Sequence, residues 1–196
     1  MFNEIFDKFL DGIDGFDSFF NGILNVKNDY KLVYGEFNQN SFDACLDILE
    51  DFYYINKNKK VIDLGSGIGK VVMAMHYTGY FKQVDGIEIV DTLVEDSKKC
   101  IGLYSKLFNK NINNINIYQG DFKDFDISDY DIIISNTTTD TAIRDMLKNK
   151  IVKEAKKDAI IITSITKFED KKLKQVRRVT TSFSWGISFI NACIKL

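Results

Sequence analysis

Apolar residues recur at helical spacing along the N-terminal segment of the chain. They are Phe2, Ile5, Phe6, Phe9, Leu10, Ile13, Phe16, Phe20, Ile23 and Leu24. This spacing predicts an amphipathic helix, and Gly12 and Gly15 are positions at which it would divide into two. Because an apolar stripe usually faces a core, we interpret residues 1–32 as a helical cap on the main domain. A docking helix for a partner is the alternative interpretation.

From residue 60 onward, short apolar runs alternate with longer amphipathic stretches. The strand-like runs are KVIDLG, QVDGIEIV, NINIYQGD, YDIIISN and AIIITSI. The predicted helices between them are GKVVMAMHYTG, DTLVEDSKKCIGLYSKLFN with Asp91 or Thr92 as N-cap, and TDTAIRDMLKNKIVKEAKKD. One more helix, NSFDACLDILEDFYYI, precedes them with Asn40 or Ser41 as N-cap. Alternation of this kind indicates a parallel sheet with helices on both faces.

The C-terminal part of the chain departs from that alternation. Two strand-like runs, KQVRRVTTSFSW and ISFINACIKL, follow each other with only Gly186 between them. Strands joined this tightly must be antiparallel. We therefore predict an α/β fold with a seven-stranded mixed sheet, in which five parallel strands are followed by an antiparallel hairpin.

Composition limits the classes of function. The 196 residues suit one domain, 33–196, behind the N-terminal cap, and 45% hydrophobic residues can form a core. The net charge of −2 provides no global attraction to nucleic acid. No apolar run approaches the ~20 residues that span a bilayer, and the N-terminus lacks the basic start of a targeting segment. We expect an intracellular monomer.

Cysteine and histidine are few. Three widely spaced cysteines, Cys45, Cys100 and Cys193, favour a reducing compartment over a disulfide framework or a zinc site. His76 is the single histidine, so the sequence predicts no metal site and little room for a catalytic triad. Because His76 lies in the apolar stretch VVMAMHYTGY, we interpret it as a packed or helix-surface residue rather than a base.

The stretch VIDLGSGIGK, residues 61–70, places glycine at 65, 67 and 69. The dinucleotide pattern G-x-G-x-x-G fails, because Lys70 or Val72 stands at its third glycine. The phosphate-loop pattern also fails, because Leu64 replaces its first glycine and Val71 its hydroxyl residue. The remaining pattern, D-x-G-x-G-x-G between a strand and a helix, is typical of S-adenosylmethionine (SAM) methyltransferases.

Acidic residues follow three consecutive predicted strands, at positions that suit SAM. Asp63 can serve the ammonium group, directly or through water, and the helix N-terminus suits the carboxylate. Glu88 can accept hydrogen bonds from the ribose hydroxyls. Asp121 can accept from the adenine amino group while Phe122 packs on the ring. Each acid alone could be a surface charge or a cap, but together they predict a Rossmann-like class I SAM methyltransferase.

Several motifs in order resemble the Dot-type histone lysine methyltransferases, the non-SET enzymes named for disruption of telomeric silencing. They are VYGE, SFD, DLGSGIGKVV, GIE, GDF, SN and SFSW. The resemblance spans residues 33–190. The glycine loop and the ribose acid are shared by many methyltransferases, whereas VYGE and SFSW are the more specific motifs.

The resemblance implies roles for individual residues. Its cofactor-binding set would be Tyr34, Gly35, Glu36, Asp63, Gly65, Ser66, Gly67, Lys70, Glu88, Asp121, Phe122 and Asn136. Within it, residues 34–36 would close over SAM, with Glu36 near the methionine end. Tyr34, Asn136 and Trp185 would lie beside the reacting groups. The family usually has glutamine at the position of Lys70, and NTTTD here replaces the family sequence that begins NNF.

A lysine substrate would need a dry channel, because desolvation lowers the pKa of an amine. Tyr34, Phe37, Phe183, Trp185 and Phe189 could build it, although about half of the hairpin aromatics should be plain core. The basic stretch KKLKQVRR, Lys171 to Arg178, could contact nucleic acid or an acidic surface, or be a solvated strand face.

The leading hypothesis is a SAM-dependent protein-lysine methyltransferase that acts on a core histone, with S-adenosylhomocysteine as its product. It implies a histone or nucleosome as partner and a nuclear location, or a cytoplasmic one for another substrate. The alternatives are a non-histone protein or a small amine as substrate, and a SAM-binding subunit without activity.

Overall fold

A computed structural model of the chain describes residues 3–26, 32–136, 140–164 and 167–196. The strands are β1 (Lys60–Leu64), β2 (Gln83–Glu88), β3 (Ile115–Gln119), β4 (Ile132–Ser135), β5 (Ile160–Ser164), β6 (Leu173–Phe183) and β7 (Gly186–Lys195). The α-helices are α1 (Asn3–Lys8), α2 (Phe16–Gly22), α3 (Gln39–Asp51), α4 (Lys70–Thr78), α5 (Asp91–Phe108) and α6 (Thr141–Glu154). Short 3-10 turns occupy Leu10–Gly12, Ile23–Asn25 and Phe122–Asp124.

The seven strands form one sheet in the order β3-β2-β1-β4-β5-β7-β6. The first five are parallel, and β7 pairs antiparallel with both β5 and β6. The predicted mixed sheet with a C-terminal hairpin is therefore confirmed. In the hairpin only Ser184 and Trp185 lie between the strands, and β7 begins at Gly186.

The two sheet faces carry separate apolar clusters. On one face, Val61, Ile132 and Ile160 pack with side chains of α1, α3, α4 and α5. On the other face, Ile62, Ile133 and Ile161 pack with α6. Since β4 and β5 are covered on both sides, every residue in them is buried and their sequences are apolar almost throughout.

Side chains of α1 belong to the larger of these clusters. Ile5, Phe6 and Leu10 are buried, and the Phe6 ring lies 5.5 Å from that of Phe42 in α3. The first half of the amphipathic stripe therefore faces the core, and the segment breaks near Gly12 and Gly15 as predicted.

The second half of the stripe does not face the core, because Phe16, Phe20 and Leu24 are exposed. Phe19, which lies off the predicted stripe, is buried instead. The helix fragments are shorter than the apolar spacing alone suggests, because two 3-10 turns interrupt them.

Two predicted helix starts need correction. Helix α3 is capped by Asn38, not by Asn40 or Ser41, because Asn38 and Ser41 form a reciprocal capping box. Helix α5 has Val90 at its N-cap with no side-chain cap bond, and Asp91 accepts instead from the adjacent Thr92 N–H. Helix α6 begins after Asp140, whose carboxylate accepts from two backbone N–H groups.

His76 is buried inside the fold. Its Nδ1 lies 2.7 Å from the Tyr104 hydroxyl and its Nε2 lies 3.0 Å from Asn114 Oδ1. Burial lowers the pKa of His76, so the ring is neutral at physiological pH. These contacts agree with the interpretation of His76 as a packed residue. The three cysteines are free thiols, and no helix of the described segments has the length and apolar character to cross a membrane.

Candidate active site

A cleft opens at the carboxyl ends of β1, β2 and β4, where the strand order reverses direction between β1 and β4. This is the position at which open α/β sheets bind their ligands. The free space of the cleft, including its mouth, is about 870 Å³. All twelve residues that the sequence assigns to the cofactor line it: Tyr34, Gly35, Glu36, Asp63, Gly65, Ser66, Gly67, Lys70, Glu88, Asp121, Phe122 and Asn136.

The glycine loop forms the floor of this cleft. Gly65, Gly67 and Gly69 have φ angles of 82°, 54° and 82°, a region that side-chain-bearing residues rarely adopt. The N–H groups of Gly65 and Ser66 donate to the Ile87 carbonyl at 2.9 and 3.0 Å, which ties the loop to the end of β2. The glycines are therefore required by the path of the backbone.

Gly86, which sequence reasoning did not single out, also belongs to this arrangement. A Cβ at Gly86 would lie 2.6 Å from the Ser66 side chain. A glycine inside a strand often marks the close approach of another segment, and that signal was available in the sequence VDGIE.

Glu88 lies at the end of β2 and is buried. One of its carboxylate oxygens accepts from the Gly67 N–H, and the other accepts from the N–H groups of Ile89 and Val90, each at 2.9 Å. Burial raises the pKa of Glu88, and the three backbone donors act against that rise. The carboxylate is thus held in a fixed orientation at the cleft.

Polar atoms without partners converge on the cleft. Within the described part of the chain, Asp63 Oδ1, Ser66 Oγ and Asn136 Oδ1 are buried and have no hydrogen-bond partner. Burial raises the pKa of Asp63 well above its usual range, and the nearby Glu88 raises it further. Unpartnered buried polar groups are costly, so their presence in one cleft points to a polar ligand.

Asp121 has a structural contact in addition to its place in the cleft. Its carboxylate caps the turn Phe122–Asp124 by accepting from the Lys123 N–H at 3.0 Å. The Lys123 Nζ lies 3.1 Å from its second oxygen. Phe122 is buried and lines the cleft beside it. The adenine contact assigned to this pair stays a prediction.

The loop 34–36 lines the cleft, and an ion pair between Glu36 and Lys70 holds it in place. Glu36 Oε2 lies 2.6 Å from Lys70 Nζ, with side chains only 10% and 12% exposed. Glu36 Oε1 accepts from the Tyr34 hydroxyl at 2.6 Å. Burial raises the pKa of Tyr34, and the negative charge of Glu36 adds to that rise. Tyr34 is therefore a hydrogen-bond donor and not a base.

The motifs VYGE and SFSW meet beside the cleft. The Glu36 N–H donates to Ser184 Oγ at 3.0 Å, and the Ser184 N–H donates to the Glu36 carbonyl at 3.1 Å. A Cβ at Gly35 would lie 2.6 Å from the ring of Trp185, so this glycine admits the indole. Asn136 Nδ2 donates to the Gly35 carbonyl at 2.9 Å.

Trp185 contacts this loop but does not line the cleft. Its ring stacks on Phe183 at 4.5 Å, and Phe183 meets Phe37 edge-on at 5.4 Å. Phe37 and Tyr34 do line the cleft. The fifth predicted aromatic, Phe189, is apart from this group, because strand alternation places it with Cys193 on the face that carries α6.

Two residues of the N-terminal segment reach the site without having been predicted. Phe19 lines the cleft and stacks on Tyr34, with ring centroids 5.4 Å apart. The Gly15 N–H donates to Glu36 Oε1 at 3.2 Å. The amphipathic spacing predicted that this segment packs on the domain, but it carries no signal for which side chain reaches the cleft.

Two sequence predictions lie outside the cleft or outside the described residues. The basic stretch Lys171–Arg178 lies on and before the edge strand β6, where Arg178 stacks over the Phe189 ring at 3.8 Å. A nucleic-acid contact by this stretch stays a prediction. The sequence NTTTD is described only at Asn136 and Asp140, and its residues 137–139 lie outside the described residues. The described segments contain no group of three or more metal-ligating side chains placed to hold an ion.

Solved structures share this fold. An RNA methyltransferase from Salinibacter ruber, in complex with S-adenosyl-L-homocysteine, has a TM-score of 0.59 at 19% identity, covering 78% of this chain and 91% of that one. A putative RNA methyltransferase from Pyrococcus horikoshii has a TM-score of 0.65 at 17% identity, covering 89% and 94%. At these identities the likeness concerns the fold alone. The fold and the cleft together define a class I SAM-dependent methyltransferase.

The sequence identifies the family. Residues 23–185 match the family model of histone methylation protein DOT1, and the chain belongs to this family. A ribosomal protein L11 methyltransferase of Campylobacter concisus (strain 13826) is 26% identical over 152 residues, which are 76% of this chain and 50% of that protein. The chain thus spans about half the length of the curated relative that it matches.

The cofactor is S-adenosyl-L-methionine, and the residues of the cleft fit it. SAM carries an ammonium, a carboxylate and two ribose hydroxyls, which need acceptors and donors. Asp63 Oδ1 and Asn136 Oδ1 are unused acceptors, and Ser66 Oγ is an unused hydroxyl among the described residues. Phe122 and Ile87 supply apolar walls.

Proposed function

We propose that the protein transfers a methyl group from SAM to the ε-amine of a lysine in a protein, with a core histone as the substrate. The observation that carries this proposal is the contact between the loop 34–36 and the hairpin residues Ser184 and Trp185, beside the cleft. These two segments hold the motifs that are most specific to the DOT1 family, to which the chain belongs.

The chemistry requires positioning more than acid–base groups. SAM supplies a sulfonium-bound methyl group that a neutral amine attacks in line. The protein must hold the two reactants at near-attack distance, and fixed geometry of this kind can supply most of the catalytic effect. Here the loop 34–36 is fixed by Lys70 on one side and by Asn136 on the other.

A lysine substrate must lose its proton before it can react. Aromatic walls favour the neutral amine, because desolvation penalises the charged form and lowers its pKa. Tyr34 and Phe37 provide such walls in the cleft. Tyr34 stays protonated, since its pKa is raised, so no anionic phenolate stabilises an ammonium there. The lysine ammonium therefore releases one proton to solvent as it passes from water to these walls.

Asn136 is the group we assign to aim the amine. Its Nδ2 donates to the Gly35 carbonyl, which fixes the side chain and leaves Oδ1 buried without a partner among the described residues. An amide oxygen can accept an N–H of the neutral amine and so direct the nitrogen lone pair away from itself. This role needs no ionised base, in accord with the packed position of His76.

A non-histone protein is the second candidate substrate. The relative from Campylobacter concisus, a ribosomal protein L11 methyltransferase by name, matches 76% of this chain. That match favours a ribosomal protein over a small amine as the alternative target. Both candidates involve the same donor and the same cleft, and they differ only in the surface that presents the amine.

The test is incubation of the protein with methyl-labelled SAM and, in parallel, core histones, nucleosomes, ribosomal proteins and total RNA. Mass spectrometry then identifies the labelled residue. We expect label on a histone lysine, and Asn136→Ala should reduce it at least about tenfold, on the scale of a lost catalytic hydrogen bond.

The control variant is Asn113→Ala, an exposed asparagine remote from the cleft, which should label at the wild-type rate. Label on a ribosomal protein would move the proposal to the second candidate. Label on RNA alone, or equal labelling by Asn136→Ala and wild type, would contradict the proposed function.

A further inference from the structure

The segment from Gly15 to Gly22, which we call the strap, contributes Phe19 to the lining of the cleft but lies outside the residues that match the family. All of it precedes residue 23, where the match to the DOT1 family begins. Phe19 is nevertheless 6% exposed and lines the cleft. Its ring stacks on Tyr34 with an interplanar angle of 29°, and it shares an apolar cluster with Ile68 and Val90.

One end of the strap is joined to the loop 34–36. The Gly15 N–H is a donor to Glu36 Oε1, which also accepts from the Tyr34 hydroxyl. A Cβ at Gly15 would lie 2.0 Å from that hydroxyl oxygen. Gly15 therefore permits a contact between backbone and side chain that a larger residue would block.

The other end of the strap is joined to the start of α5. The Ser18 hydroxyl donates to the Asp96 carboxylate, and the Thr92 hydroxyl donates to the Ser18 carbonyl. A Cβ at Gly22 would lie 2.1 Å from Thr92 Oγ1. Helix α5 begins directly after Val90, whose N–H binds the Glu88 carboxylate. The strap thus connects the loop 34–36 on one side of the cleft to the start of α5 on the other.

We propose that the strap completes the SAM site, with Phe19 as a cofactor-contacting residue that the contacts of Gly15 and Gly22 hold over the cleft. An apolar cover excludes water and strengthens the polar contacts beneath it. Phe19 covers the cleft between the glycine loop and the residues that follow Glu88. The proposal concerns the cofactor only and does not depend on which substrate is methylated.

Calorimetric titration with SAM and S-adenosylhomocysteine tests the contact. Phe19→Ala should raise the Kd of both ligands at least about tenfold. The matched control is Phe20→Ala, which removes the same ring from the adjacent position, where it is 63% exposed. Its Kd should stay within about twofold of wild type. Each titration is run well below the melting temperature of the ligand-free variant, measured by circular dichroism.

A pair of glycine variants tests the connection to α5 without altering the lining of the cleft. Gly22→Ala would force the strap away from Thr92 and should weaken SAM binding at least about fivefold. Gly12→Ala meets no atom within 4 Å and should bind SAM as wild type does. If Phe19→Ala does not fold, the Kd for SAM of Phe19→Leu and of Gly22→Ala is compared with the same two controls.

Unchanged Kd values in both Phe19→Ala and Gly22→Ala would overturn the proposal. Equal weakening by Phe20→Ala and Phe19→Ala would also overturn it, because the effect would then come from the helix as a whole. Weakening confined to Phe19→Ala and Gly22→Ala supports it.

Discussion

Asp63 and Glu88 are two acids buried on adjacent strands beneath the cofactor cleft. Burial raises the pKa of both carboxyl groups. An acid whose pKa is higher in the folded state binds its proton more tightly there than in the unfolded chain. The folded protein without ligand therefore loses stability as pH rises from the unfolded pKa of about 4 toward the raised value.

The variant Asp63→Asn separates the stability lost by burying this carboxylate from its contribution to SAM binding. Removing the buried charge should stabilise the ligand-free protein at pH 8 by about 1–2 kcal/mol and flatten its stability between pH 5 and pH 8. Because the ammonium of SAM loses its acceptor, SAM affinity should fall at least about tenfold. Urea denaturation at the two pH values and SAM titration measure both effects.

The control for Asp63→Asn is Asp7→Asn, an exposed acid of α1 remote from the cleft. It should change stability by less than about 0.5 kcal/mol. A loss of stability in Asp63→Asn at pH 8, together with unchanged SAM affinity, would show that Asp63 is a structural residue only.

The pair Lys70–Glu36 is the second residue-scale feature, because the family usually has glutamine where Lys70 stands. Removing one partner of a largely buried pair leaves the other charge uncompensated. We expect Lys70→Met to cost about 3 kcal/mol and Lys70→Gln to cost less, since glutamine still donates a hydrogen bond. Urea denaturation measures the free energy of unfolding.

The exposed pair Lys8–Glu4, with side chains 61% and 49% exposed, gives the comparison. Lys8→Met should leave the free energy of unfolding close to the wild-type value, because an exposed pair is screened by solvent. If Lys8→Met and Lys70→Met lowered the free energy of unfolding equally, burial of the Lys70–Glu36 pair would contribute nothing to stability.

At the scale of elements, the hairpin β6–β7 contacts the loop 34–36 through Ser184 and Trp185. Trp185 occupies the space left by the missing side chain of Gly35. Since small misplacements of a loop beside the reacting groups cost large factors in rate, Trp185→Ala should lower kcat/KM for the methyl acceptor at least about tenfold. Its Kd for SAM should change less than about threefold, because Trp185 does not line the cleft.

Ile187→Ala in the same hairpin is the matched control, since Ile187 is 81% exposed. It should keep the wild-type kcat/KM in the labelled-SAM assay. A rise in the Kd for SAM as large as the fall in kcat/KM would place Trp185 in the cofactor site instead.

The sequence predicted which residues follow the strands, but not which side chains from other elements contact them. The residues that follow β1, β2 and β3 were predictable as one site, because parallel strands end at the same edge of a sheet. Phe19 was not, since it lies off the predicted stripe, whose members Phe16 and Phe20 are exposed in the fold. The N-cap of α3 was misplaced because NQNS offers several capping residues, and only the bond between Asn38 and Ser41 decides among them.

For the whole molecule, hydrophobic alternation predicted the number and direction of the strands but not their order. The central strands β1, β4 and β5 are all short, buried and rich in isoleucine or valine. Their sequences therefore carry little information about which strand neighbours which. The order β3-β2-β1-β4-β5 nevertheless fixes the site, because the reversal between β1 and β4 opens the cleft.

The most direct measurement is calorimetric titration of the whole protein with SAM, repeated with Glu88→Gln and with Glu95→Gln. Glu95 is exposed on α5, close in the sequence but outside the cleft. We expect one SAM per chain, no response to NAD, and a loss of about 1.5–3 kcal/mol of binding free energy in Glu88→Gln alone, because a charged acceptor is removed. Equal responses to SAM and NAD, or a Glu88→Gln affinity equal to wild type, would contradict a SAM site in this cleft.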